Sequence, residues 1–147
     1  MKRRLCSDIM TREVLTIDAD KSIYEAACMM KDNDIGALPV VENNELVGIL
    51  TDRDIVVRAV AAGMDMRTSV REIMTKEVFS MYEDDFVFNA IREMGQKQIR
   101  RVPILDRNER LVGIISMADI ALEAEDQLEV AEVLEDISSG RSFWRKF

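Results

Sequence analysis

Apolar and polar positions alternate between two periods along this chain, and the alternation occurs twice in the same order. "VLTI" (14–17) and "VFSM" (78–81) read as short strands. Ile23, Ala26, Ala27 and Met30 recur at i, i+3, i+4 and i+7, as do Val87, Ala90, Ile91 and Met94, which predicts one helix with a single apolar face in each half. Ser22 with Glu25 supplies a capping box for the first of these helices. "ALPVV" (37–41) and "RVPIL" (101–105) are β-rich runs whose prolines suit a strand start or edge rather than a central ladder position. Turns at "NN" and "RN" return the chain into "ELVGIL" and "RLVGIIS", predicting hairpins, and a second helix begins at Thr51 and at Ser116.

The two halves are copies. Sliding the sequence by 64 residues aligns "DIMTREV" with "EIMTKEV" and the helices behind them. One extra residue, Arg110, then moves the offset to 65 and superposes "LVGILTDRDI" on "LVGIISMADI". The expected organisation is α+β: two pseudo-symmetric β-α-β-β-α repeats, 8–62 and 72–124, followed by 125–147. A unit of about 55 residues buries little surface alone, so the repeats are expected to pack together through their sheets.

The chain has 147 residues, 48% hydrophobic and 33% charged, as in water-soluble globular proteins. No apolar run approaches the roughly 18 residues of a membrane span, and the N-terminus has no signal-peptide apolar core; a cytoplasmic location is expected. Cys6 and Cys28 are too few for a disulfide framework and read as reduced thiols, Cys28 partly buried on its helix. The sequence contains no His, which removes the commonest general base, the usual zinc ligand and the Ser-His and Cys-His nucleophile pairs. An enzyme is therefore not expected.

Net charge is −8, unevenly spread. Residues 123–136 carry seven carboxylates and no base, and "RSFWRKF" carries three bases, leaving 21 acids and 17 bases on residues 1–122. An acidic body without a basic stripe argues against nucleic acid as the main partner. Leu128, Ala131, Leu134 and Ile137 form a stripe through the acidic segment, predicting an amphipathic helix ahead of a basic, aromatic tail.

Thr51-Asp-Arg-Asp54 and Ser116-Met-Ala-Asp119 carry the candidate chemistry. A hydroxyl three residues before a carboxylate at a helix start is a cap worth roughly 0.5–2 kcal/mol, with no function required. The same carboxylate can accept from a vicinal diol beside a helix start that favours anions, as a ribose phosphate needs. Asp52 and Asp54 also form a D-x-D that recruits Mg²⁺ in some nucleotide sites, although helix-start carboxylates are common and no metal site is assigned.

With "DIMT" ahead of the first strand, "IGALPVV" and "IRRVPIL", and "GILTDRDI" and "GIISMADI", the chain resembles a tandem pair of cystathionine-β-synthase (CBS) domains, a Bateman module. The resemblance covers 8–124, about four fifths of the chain. It implies two clefts for adenosine-containing ligands such as AMP, ADP, ATP, NAD or S-adenosylmethionine, and no required cofactor. By that resemblance one cleft uses Thr51 and Asp54 for ribose with Thr75, Ser80, Ile99 and Arg100 around the base. The other uses Ser116 and Asp119 with Thr11, Thr16, Ile35, Gly36 and Ala37 as its wall. Arg53, Arg100 and Arg101 are expected to give the first cleft more phosphate affinity, because Met117 and Ala118 replace Asp52 and Arg53 in the second motif. The expected function is a non-catalytic regulatory module acting as a homodimer or on a separate protein partner. The alternatives are an interaction scaffold with vestigial clefts and a nucleotide enzyme using Asp52 and Asp54 with a metal.

Overall fold

A computed structural model of the chain describes residues 3–123 together with Ala131, Leu134, Glu135 and Ile137. It contains two compact units, each built on a three-stranded sheet.

The unit spanning Leu15–Val78 holds β1 (Ile17–Asp18), α2 (Ile23–Asn33), β2 (Ala37–Glu42), β3 (Glu45–Thr51) and α3 (Asp52–Asp54), which runs directly into a π-helical segment, Ile55–Val60. The other unit combines Met1–Val14, carrying α1 (Cys6–Ile9), with the chain from Phe79 onward. Its elements are β4 (Met81–Tyr82), α4 (Val87–Lys97), β5 (Arg101–Leu105), β6 (Leu111–Ser116) and α5 (Met117–Glu123). In each sheet the first strand pairs parallel to the second and the second antiparallel to the third.

Several details follow from local chemistry. Ser22 closes its capping box with Glu25, whose carboxyl is held below its usual value chiefly by the Ser22 backbone N–H. Ser22→Ala is expected to lower stability by about 1 kcal/mol in urea melts. Asn43 and Asn44 both take positive φ, 51° and 65°, and turn the first hairpin in two residues. The second hairpin uses a longer loop in which Asp106 accepts from Asn108 and Arg110 and Glu109 takes φ 64°. This is where the extra residue, Arg110, is accommodated.

Three expectations are corrected. Regular strand structure covers Ile17–Asp18 and Met81–Tyr82 rather than 14–17 and 78–81. Pro39 lies in the middle strand of its sheet, tolerated because β1 reaches only Val40 and Val41 and leaves the proline without a neighbour on that side. Ala27 is exposed: α2 buries only Ile23, Ala26 and Met30, whereas α4 buries all four predicted positions and Gly95.

The opening segment of each repeat folds onto the other repeat's hairpin. Thr11 bridges Ile114 within one unit, and Thr75 bridges Ile49 within the other, each through a reciprocal pair of backbone hydrogen bonds of 2.9 and 3.0 Å. The 69–74 stretch is further tied down by Arg71, which pairs with Asp20 at 2.9 Å and with Glu42 at 2.6 Å.

Each unit has its own apolar core. One is centred on Ile23, Leu38, Val40, Leu50 and Ile73, the other on Ile91, Met94, Ile104, Ile115 and Ile120. Cys6 is fully buried, and that burial, aided by Asp85, pushes its thiol up to about 12. Cys28 is only half-buried. Native protein treated with iodoacetamide near pH 8 is expected to be modified at Cys28 while Cys6 stays unmodified, as peptide mass spectrometry would show. Most of the acidic segment and the basic tail lie outside the described residues; of the predicted stripe, Ile137 is buried and Ala131 and Leu134 are exposed.

Candidate functional site: the hydroxyl-x-x-Asp turns

β3 and β6 each end on the motif hydroxyl, and a helix starts on the next residue. Thr51 is extended (φ −115°, ψ 162°), which aims its Oγ1 at the Asp54 N–H, 3.2 Å away, while Asp54 Oδ2 accepts from the Thr51 N–H at 2.9 Å. Ser116 and Asp119 repeat the arrangement at 3.1 and 2.9 Å. Both motifs are therefore capping boxes. The cap fixes one carboxylate oxygen and leaves Oδ1 on each Asp for another donor.

What meets that oxygen differs between the repeats. Asp54, with its side chain 15% exposed, has Arg58 Nε 3.7 Å from Oδ1, and Arg58 also donates to the Ile73 carbonyl at 3.0 Å. In the second motif the residue four positions on is Glu123, paired with Arg4, and Asp119 Oδ1 instead accepts from the Thr11 hydroxyl at a long 3.5 Å. Arg58 was not among the residues singled out from sequence. Its signal, a cation four residues after a carboxylate on a helix, is also that of an ordinary surface ion pair.

The strand register assembles the rest of each turn. Ala37 lies opposite Thr51, and the Gly36 carbonyl accepts from the Asp52 N–H at 2.9 Å. Arg101 lies opposite Ser116, and the Arg100 carbonyl accepts from the Met117 N–H at 3.0 Å. Thr16, Ile35, Gly36, Ala37, Thr51, Arg53, Asp54 and Thr75 thus share one unit, and Thr11, Ser80, Ile99, Arg100, Arg101, Ser116 and Asp119 share the other. Within its own unit Arg58 lies beside the first motif, and within the other Arg101 lies across the strand pair from the second.

Thr16 also lines a pocket of about 380 Å³ between β1 and α2, with Ile17, Lys21, Tyr24, Cys28 and Met29. At the corresponding positions of the second repeat Arg92 lies over the Phe88 ring. Asp52 Oδ1 accepts from the Arg53 N–H, so both members of the D-x-D are engaged with the helix start. No cluster of three or more Cys, Asp or Glu among the described residues is arranged to hold a metal ion, and none of the described helices is long and apolar enough to cross a membrane.

The described chain is thus built from two copies of an α+β unit, each with a capped carboxylate at a strand-to-helix junction. The chain belongs to the CBS-domain family, whose model matches residues 6–60 and 70–126. It is 42% identical over 131 residues to the CBS domain-containing protein YhcV of Bacillus subtilis, covering 89% of this chain and 93% of that one. Among solved structures it is similar to Hypoxic Response Protein I with two coordinated zinc ions, a protein whose Mycobacterium tuberculosis sequence is also a relative. That structure has a TM-score of 0.74 and 35% identity over 82% of this chain and 98% of the other. The CBS pair of protein MJ0100, in complex with 5′-methylthioadenosine and S-adenosyl-L-methionine, matches with a TM-score of 0.72 and 34% identity, covering 81% of this chain and 94% of that one.

Proposed function

We propose that each hydroxyl-x-x-Asp turn holds the ribose diol of an adenosine-containing ligand, and that the chain is a non-catalytic sensor of that ligand. The observation that carries this reading is the shared division of labour within the two carboxylates. Oδ2 is committed to the cap and Oδ1 is left as the acceptor, in both repeats. A carboxylate held rigidly by its own backbone costs a ligand little ordering entropy. The adenosine compounds in the MJ0100 pair support the ligand class. Ligand occupancy shifts whichever arrangement of the chain binds it better, by no more than the difference in affinity.

The regulated output is another protein or a second copy of this chain. A homodimer is supported by Val56, Val57 and Val60, exposed apolar residues along the helical segment after Asp54, with Met64 exposed beyond its end. Sedimentation equilibrium of the wild-type chain and of a Val56→Ser, Val60→Ser variant is expected to show a dimer and a weakened dimer.

Thermal melts with AMP, ATP, NAD, S-adenosylmethionine and 5′-methylthioadenosine test the ligand reading. A ligand at one hundred times its dissociation constant adds about 2.7 kcal/mol. Silence across the panel leaves the scaffold reading standing instead.

A further inference from the structure

Gly48 and Gly113 occupy equivalent positions in the two hairpins, and each is covered by a methionine from the segment that bridges that hairpin. A Cβ placed on Gly113 would run into Met10 Sδ and lie 2.7 Å from its Cγ. One placed on Gly48 would lie 2.6 Å from Met74 Sδ and 3.0 Å from its Cγ. The methionine thus fills the space that any side chain at the glycine would take. Both methionines are buried, and each is followed at once by the threonine that bridges the sheet: Thr11 to Ile114, Thr75 to Ile49. At Thr11 the consequence reaches the candidate site, because its hydroxyl lies 3.5 Å from Asp119 Oδ1, the oxygen the cap leaves over.

We infer that Met10 and Met74 are positioning residues: seated on Gly113 and Gly48, they register Thr11 and Thr75 against the hairpin edge and so set Thr11 at the ligand carboxylate of its unit. The inference rests on the adenosine-ligand reading for its functional consequence and on packing for its mechanism.

The two seats differ in a way that makes the test specific. At Gly113 the three nearest atoms belong to the Met10 side chain, whereas at Gly48 the Thr75 carbonyl oxygen is among them, 2.9 Å from the added Cβ. Met10→Ala therefore removes the two shortest contacts at the first seat and keeps the Met10 Cβ at 3.1 Å, whereas Met74→Ala leaves the Thr75 carbonyl oxygen in place. The experiment uses the full chain with 5′-methylthioadenosine as calorimetric probe, on an Asp54→Ala background so that only the Asp119 motif is read. Amide hydrogen exchange at Thr11, Ile114, Ile49 and Thr75 is followed in parallel on the wild-type background. Gly113→Ala is expected to weaken the probe about tenfold and to speed exchange at Thr11 and Ile114. Met10→Ala, which empties the same seat, is expected to have a similar effect, and combining it with Gly113→Ala to add less than about threefold to the larger single loss. Gly48→Ala speeds exchange at Ile49 and Thr75, and adding Met74→Ala leaves that loss in place. Wild-type affinity and exchange in Gly113→Ala or in Met10→Ala, single losses that multiply in the double variant, or full rescue at Gly48 each overturns the inference. If the parent chain binds no adenosine compound, the ligand reading fails by itself, and the exchange pattern still decides the seating.

Discussion

Asp119→Ala removes adenosine-ligand affinity at its own motif, and Asp54→Ala does the same at the other, while each chain stays folded. A ribose diol donates to a carboxylate through charge-assisted hydrogen bonds, each worth about 1.5–3 kcal/mol. Losing two of them weakens binding by about a hundredfold or more. The stability cost is that of a cap, about 1 kcal/mol, because Thr51 and Ser116 lose only the oxygen that accepts from their own N–H. Collateral effects are small. Asp54→Ala frees Arg58, whose side chain is half exposed and can be solvated, and Asp119→Ala leaves Thr11 with a long hydrogen bond lost. Titration calorimetry with 5′-methylthioadenosine and AMP gives the affinities, and urea melts give the stability. Retained binding in both single variants and in the double variant would reduce the motif to a helix cap and end the sensor reading.

Leu50→Ala and Ile115→Ala are each expected to destabilise the protein by about 2–5 kcal/mol. The two residues are equivalent positions in the repeat, both fully buried on the last turn of sheet before the motif. Truncation removes apolar burial and leaves a cavity that close-packed neighbours fill only in part. Leu50 packs in the core with Leu38, Val40 and Ile73, and Ile115 in the core with Val102, Met94 and Ile91. Leu122→Ala serves as the control, since Leu122 is 85% exposed and its truncation belongs with surface changes of about 0.5 kcal/mol or less. Urea unfolding followed by circular dichroism measures all three. A loss below about 1 kcal/mol at either buried position would show that its hairpin is not packed as described.

Much of this molecule could be read before its fold. The helix face of α4, the Ser22–Glu25 cap and the Asn43-Asn44 turn depend on residues close to one another along the chain, and each formed where its pattern lay. The errors arose where distant chain decides. Pro39 stands in a middle strand only because its neighbour β1 is two residues long. Ala27 fits the helical period yet meets solvent, because α2 turns Ile23, Ala26 and Met30, with Met29 beside them, onto the core instead. Arg58 and Met10 carried no sequence signal that distinguished them from a surface cation and a core methionine.

The sequence by itself determined that the chain is a doubled α+β unit with a capped carboxylate at each strand-to-helix junction. Repetition, hydrophobic period and capping are short-range properties, written in neighbouring residues. Only the tertiary structure decided that the opening segment of each repeat closes the hairpin of the other, and that Asp119 faces Thr11. Thr11 and Asp119 are 108 residues apart, and their meeting depends on which sheet edge satisfies the backbone of 10–12 and which glycine leaves room for Met10. Local patterning does not encode that choice; the competition among edges and cavities for the same segment does.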